Sequence, residues 1–242
     1  MVTKWIPFSL AEMGLICIPF VILFLLSLWV TRLLIEPGNR RRIFGKGVLN
    51  LFCLLSLIFS VLTVCCFMNI RRMGIGEQIG LQQQEAETEE LKALCQTLVA
   101  KVNRLREENF AQYGNEVFVS QMTFQEKAEE AKAAYRKIAA QYPTLGILET
   151  TPKEVHFSRV MSYTNIVGVY VPFTMEANID TDVPDYNIPK TICHELAHIQ
   201  GYLKEDEANF IAWLVCWESD NPEFQYSGYM MAMILSTNAL YS

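Results

Sequence analysis

The segment that begins at His194 contains the side chains best suited to chemistry. Two histidines lie four residues apart, with a glutamate directly after the first, in the order His194-Glu195-Leu196-Ala197-His198. On a helix, positions four apart share one face, so both imidazoles can bind a single metal ion. Zinc suits neutral imidazole ligands, and a site with three protein ligands keeps a position for water. Glu195 is the predicted general base for that water.

A third protein ligand is available in the acidic segment Glu205-Asp206-Glu207-Ala208-Asn209. The glycine at 201 separates this segment from the histidine helix, and the spacing allows a helical hairpin whose second helix faces the imidazoles. Glu205 and Glu207 point about 200° apart on a helix, so only one of them can face the metal. Asn209, one turn after Glu205, is a candidate hydrogen-bond partner for a ligand. Acids are also common at helix N-termini because of the helix dipole, which explains at least one of the three carboxylates.

Other reactive residue types lack a partner. His156, the remaining histidine, has no second ligand at metal-binding spacing, and no serine or cysteine nucleophile is accompanied by a base. Seven cysteines show no paired spacing, and four of them fall in long apolar runs. Cys95, Cys193 and Cys216 are left, which allows one pair but no disulfide framework.

Two long apolar runs precede the motif. They cover 15–35 and 48–70, each about the 20 residues that a helix needs to cross a bilayer, and neither contains Asp or Glu. The alternative for the first run is a signal peptide, but the run exceeds the roughly 7–15 apolar residues of a signal core and lacks a small-residue cleavage site after it. We therefore expect two membrane-spanning helices.

Charge is distributed unevenly along the chain. Residues 1–72 contain eight Lys and Arg and two acids, a net charge of +6, while the remainder contains twelve basic and 24 acidic residues, a net charge of −12. Five basic residues lie at the short loop between the runs: Arg32, Arg40, Arg41, Arg42 and Lys46. The positive-inside rule places this loop in the cytoplasm and both chain ends on the other face of the membrane. The acidic remainder argues against nucleic acid as a partner.

The other elements are predicted from the periodicity of apolar residues and from the positions of glycine, proline and other residues that end helices and strands. Helices are expected over 91–105, 121–141, 189–200 and 204–217, and from 224 to the chain end. Short runs of branched and aromatic residues predict strands over 155–157, 166–171 and 173–179. Helices, then strands, then paired helices indicate an α+β fold.

These motifs resemble known families. H-E-L-A-H followed by E-D-E-A-N is similar to the gluzincin arrangement of zinc peptidases, in which H-E-x-x-H precedes a helix with E-x-x-A-N or E-x-x-A-D. Three segments together resemble a bacterial family described as a membrane domain of unknown function, with N-terminal spans and a zinc-peptidase-like domain: 158–163, 168–178 and 189–209. The resemblance is close over 153–231 and covers the N-terminal spans in architecture only.

The resemblance implies roles for individual residues. It selects Glu205 rather than Glu207 as the third zinc ligand, in agreement with the helix face that Glu205 shares with Asn209. It places 172–178 on an edge strand above the zinc, where a peptide could add as another strand. Glu176 is then a candidate substrate-binding residue, although a strand-surface carboxylate is the simpler interpretation of it.

Tyr226 follows the motif helices and is a candidate for assisting an oxyanion, with core packing as the alternative. Similar proteins continue past the helix that here reaches Ser242. We therefore expect a catalytic domain that is short at its C terminus.

The sequence thus predicts six segments: an N-terminal segment 1–14, spans 15–35 and 48–70 around a cytoplasmic loop 36–47, a membrane-proximal linker and helix 71–120, and a zincin-like (gluzincin-type) α+β domain 121–242. The expected protein is a zinc metallopeptidase with one Zn²⁺, anchored by two spans in the bilayer of a bacterial cell, with its catalytic domain on the extracytoplasmic side and a peptide or protein as substrate. The rival is a non-catalytic zinc-binding receptor or scaffold. A fourth protein ligand would favour the rival, since structural zinc sites are closed.

Overall fold

The computed structural model describes residues 6–81, 84–114 and 116–241. The chain is mostly helical and includes a small mixed sheet of three strands. Two long apolar helices at the N-terminal end precede a compact body formed by the remaining elements.

The two apolar helices form a hairpin. Helix α1 (Leu10–Ile35) is followed by a single 3₁₀ turn and helix α2 (Arg40–Leu62), which continues through a π-helical turn (Thr63–Phe67) into α3 (Met68–Ile70). Both helices are long and apolar enough to cross a membrane. None of their residues is buried within the protein, so their apolar side chains face outward along their length.

Three helices follow: α4 (Ile75–Gln78), α5 (Thr88–Phe110) and α6 (Phe124–Gln141). Helices α5 and α6 begin at reciprocal capping boxes, in which Glu87 pairs with Glu90 and Thr123 with Glu126. These boxes satisfy backbone N–H groups that have no partner inside the helix, and they fix the two starts.

The sheet contains β1 (Lys153–Glu154), β2 (Gly168–Val171) and β3 (Glu176–Ile179), with the short helix α7 (Ser158–Ser162) between the first two strands. Strand β3 is central, parallel to β1 and antiparallel to β2. The strand predicted over 155–157 is misplaced, because the backbone N–H groups of His156 and Phe157 donate to the Glu12 carboxylate at 3.0 and 2.7 Å instead of joining the ladder.

Three further helices complete the body: α8 (Asn187–Ile199), α9 (Glu205–Glu218) and α10 (Pro222–Tyr241). Helix α8 is almost entirely buried and packs against β3, α6 and α9. Gly201 ends it in the left-handed region, at φ 90°. Inside the main core, the Tyr135 hydroxyl on α6 donates to the Cys193 carbonyl at 2.6 Å and fixes the position of α8.

Candidate metal centre

Helix α8 presents both histidines of the motif to one side. The ring centroids of His194 and His198 are 4.6 Å apart, and the rings are nearly perpendicular. His198 Nδ1 lies 2.8 Å from the Tyr202 carbonyl oxygen. Because a carbonyl can only accept, Nδ1 holds the proton and the Nε2 lone pair is left for a metal.

Helix α9 places Glu205 opposite the two imidazoles. Its carboxylate oxygens lie 3.2 Å from His194 Nε2 and 3.6 Å from His198 Nε2. One ligand atom from each of the three residues lies within 4.8 Å of the other two, so His194, His198 and Glu205 could hold a metal ion. Two imidazoles and a carboxylate are a donor set that zinc accepts.

Glu207 faces elsewhere. Its carboxylate lies 3.3 Å from Lys204 Nζ and beside Gly74, where an added Cβ would lie 2.9 Å from Glu207 Oε1. The structure therefore brings Glu205, and not Glu207, to the imidazoles.

Glu195 is buried beside the histidines, with only 4% of its surface exposed. It accepts a hydrogen bond from the Tyr170 backbone N–H, and its Oε2 atom has no hydrogen-bond partner within the described residues. Burial, followed by the negative charge of Glu205, raises the pKa of Glu195 to about 8. An unpaired buried oxygen with such a pKa is suited to taking and returning a proton.

The environment of His194 favours the neutral imidazole that a metal requires. Burial is the main cause that lowers the pKa of His194 to about 4, and the nearby His198 and Lys190 add to it. The Asn209 side chain forms a hydrogen bond with the His194 ring and acts in the opposite direction. Asn209 is therefore a hydrogen-bond partner of a candidate metal ligand.

A cleft of about 520 Å³ lies over these side chains. Strand β2 and the segment before it form one wall, and α8 and the start of α9 form the other. Gly168 permits this close approach, because a Cβ at that position would lie 2.6 Å from Glu195 Oε1 and from Thr191 Cγ2.

Lys190 also lines the cleft and was not singled out from the sequence. Burial lowers its pKa. Its position four residues before His194 was the available signal, since residues four apart share a helix face.

Two predicted residues lie outside the cleft lining. Tyr226 packs in a second core cluster between α5 and α10, with edge contacts to the rings of Phe110 and Phe118. Glu176 is fully buried on the central strand, and its oxygens accept the backbone N–H groups of Leu10 and Ala11 at 3.3 and 3.0 Å.

The edge-strand prediction for 172–178 is therefore wrong. Residues 176–179 form the central strand because β1 pairs with their other side, and β2 is the edge strand that faces the metal site.

A known protein-family model matches this chain. The family model described as Protein of unknown function (DUF3810) matches residues 1–242, the whole of the sequence. No curated protein and no solved structure matches the chain.

Proposed function

We propose that this chain, which belongs to the DUF3810 family, is a membrane-anchored zinc peptidase with a zincin-like catalytic body. The observation that carries the proposal is the combination of a His-His-Glu ligand set with a buried, unpaired Glu195 oxygen in the same cleft. A metal site that serves only stability has no need of such a carboxylate.

Each residue has a distinct role in this proposal. His194, His198 and Glu205 hold the ion, the Tyr202 carbonyl orients His198, and Asn209 orients His194. When bound, zinc polarises the carbonyl of the scissile bond and lowers the pKa of a water molecule.

Glu195 then serves as general base. It takes a proton from the water and delivers it to the leaving amine, and the Tyr170 N–H holds its carboxylate in place throughout. The remaining backbone edge of β2 is available to an extended peptide, which would add as a further strand along the cleft. No acyl-enzyme intermediate is required.

The proposed location follows from α1 and α2. The first helix has 26 residues, and apolar side chains are exposed along both helices. Each helix is therefore long enough to cross the hydrocarbon core of a bilayer. The basic loop between them, with three consecutive arginines at 40–42, favours a cytoplasmic loop and an extracytoplasmic catalytic body.

The rival function is a zinc-binding receptor or scaffold without catalysis. A closed structural site would add a fourth protein ligand, and within the part of the chain that the structure describes, the metal-ligand group has three members. The free Glu195 oxygen gives further support to the peptidase.

Reconstitution with metal tests the proposal. The full chain, purified in lipid nanodiscs, is incubated with a peptide library before chelation, after chelation with 1,10-phenanthroline, and after addition of one equivalent of zinc. We expect cleavage to stop and then return, and a Glu207→Gln control to behave as the wild type does. Binding of one zinc without cleavage of any peptide would support the scaffold instead.

A further inference from the structure

Each of the two apolar helices contacts, at one of its ends, the body that contains the cleft. At the start of α1, the Glu176 carboxylate of β3 accepts two backbone N–H groups, and Ser9 Oγ donates to Asn178 Oδ1 at 2.6 Å. Lys153 on β1 donates to the Ile6 carbonyl. The sheet is therefore fixed at the level where the first apolar helix begins.

The end of the second apolar helix lies against the α8–α9 loop. The Arg72 guanidinium donates to the Gln200 carbonyl at 3.0 Å and covers the Tyr202 ring at 4.5 Å. Tyr202 is the residue whose carbonyl holds His198. On the other wall of the cleft, Tyr170 lies close to Cys65 and Cys66 in the π-helical turn. The loop that holds His198 therefore contacts the residues that end this apolar helix, and the β2 wall lies near its π-helical turn.

Exposed apolar side chains also lie near the start of α1. We define the apolar rim by its six exposed side chains, all on α7, β2 and their connections: Phe157, Val160, Tyr163, Ile166, Val169 and Phe173. The rim begins at α1, since the Phe157 N–H donates to Glu12 in the first turn of that helix. Residues 155–175 contain no Asp or Glu, in a chain whose part after residue 72 has a net charge of −12.

We propose that the apolar rim lies in the headgroup layer of the outer leaflet, and that the cleft takes juxtamembrane segments of polypeptides anchored in the same membrane. Aromatic and branched side chains beside a span, without acidic neighbours, are suited to that layer. Because β2 contributes both to the rim and to the cleft wall, a peptide that pairs with β2 lies close to the bilayer surface. This inference rests on the proposed function.

Photo-labelling tests the position of the rim. The full chain is placed in nanodiscs that contain a phospholipid with a diazirine near its headgroup, irradiated, and digested for mass spectrometry. We expect labels on α1, on α2 and on peptides from 157–173. Labelling of 157–173 should be lost in a Val160→Glu/Tyr163→Glu variant. It should be retained in Trp217→Glu, a matched change at an exposed apolar residue that is followed by Glu218 and Asp220.

Labels on α1 and α2 with none on 157–173 of the wild type would overturn the inference and leave the membrane anchoring intact. If α1 and α2 were unlabelled as well, the result would refute membrane anchoring and therefore also the inference.

The positions of cleavage sites test the substrate class. New protein N-termini are compared between membranes of cells that produce wild type or Glu195→Gln. We expect the N-termini that are lost in the variant to lie within about ten residues of a membrane span of the substrate, because ten extended residues reach at most about 35 Å from the membrane. Lost termini that lie mainly in proteins without a span would refute the inference while supporting peptidase activity. An identical set of termini in both would refute peptidase activity, and the inference with it.

Discussion

Gly168→Ala is expected to damage the candidate site without changing any ligand. The new Cβ would lie 2.6 Å from Glu195 Oε1 and from Thr191 Cγ2, whereas unstrained carbon contacts lie at about 3.5–4.0 Å. Neither side can yield easily, because β2 is paired with β3 and α8 is buried in the core.

Overpacking of this kind lowers the free energy of unfolding by about 1–3 kcal/mol. For a chain of this length, a loss of that size lowers Tm by roughly 2–12 °C, at about 2–4 °C for each kcal/mol. Hydrolysis should fall further, because a displacement of about 1 Å in a catalytic group costs on the order of 100-fold. Zinc should remain bound, since the three atoms nearest to the added Cβ belong to Glu195 and Thr191 and not to a metal ligand.

The assay measures Tm, zinc per chain and peptide cleavage on the full chain in nanodiscs. Gly45→Ala is the control, because nothing lies within 4 Å of a Cβ at that position. Thr191→Ser removes the clashing methyl group but keeps the hydroxyl that donates to the Asn187 carbonyl at 2.7 Å. The double variant Gly168→Ala/Thr191→Ser should therefore recover part of the Tm but little of the hydrolysis, since the Glu195 contact persists. A Gly168→Ala chain with unchanged Tm and full cleavage would refute the packing of β2 on α8.

Three more predictions follow from the contacts. The zinc affinity should fall by a large factor in Glu205→Gln and hardly at all in Glu207→Gln, as measured by competition with a chelating dye. The opposite order would show that Glu207, and not Glu205, faces the metal. Glu176→Gln should lower the free energy of unfolding by about 1–3 kcal/mol and loosen α1, seen as faster hydrogen exchange at the start of that helix; unchanged exchange would contradict its capping role. A reporter fused after Lys46 should be cytoplasmic and one fused after Ser242 external, and the reverse pattern would overturn the orientation.

The residues close together in sequence were predictable because helix periodicity fixes their geometry. Two histidines four apart, a glycine break and a second helix suffice to bring His194, His198 and Glu205 together. The exposed apolar helices follow directly from the two apolar runs.

Long-range pairing was not predictable in the same way. The contact between Glu176 and the start of α1 joins residues 166 positions apart, and no periodicity indicates it. Strand β1 has only two residues, too few for a pattern, yet its pairing makes β3 central and leaves β2 at the edge. Tyr226 follows the motif helices in sequence, but a cluster of aromatic residues holds it away from the cleft.

The most direct test of the proposed mechanism compares peptide cleavage by wild type and Glu195→Gln at equal zinc occupancy. We expect one zinc in each and a cleavage rate lower in the variant by about 10²–10⁴-fold, the usual contribution of a general base. Equal rates at equal occupancy would show that Glu195 is not the base and would contradict the mechanism.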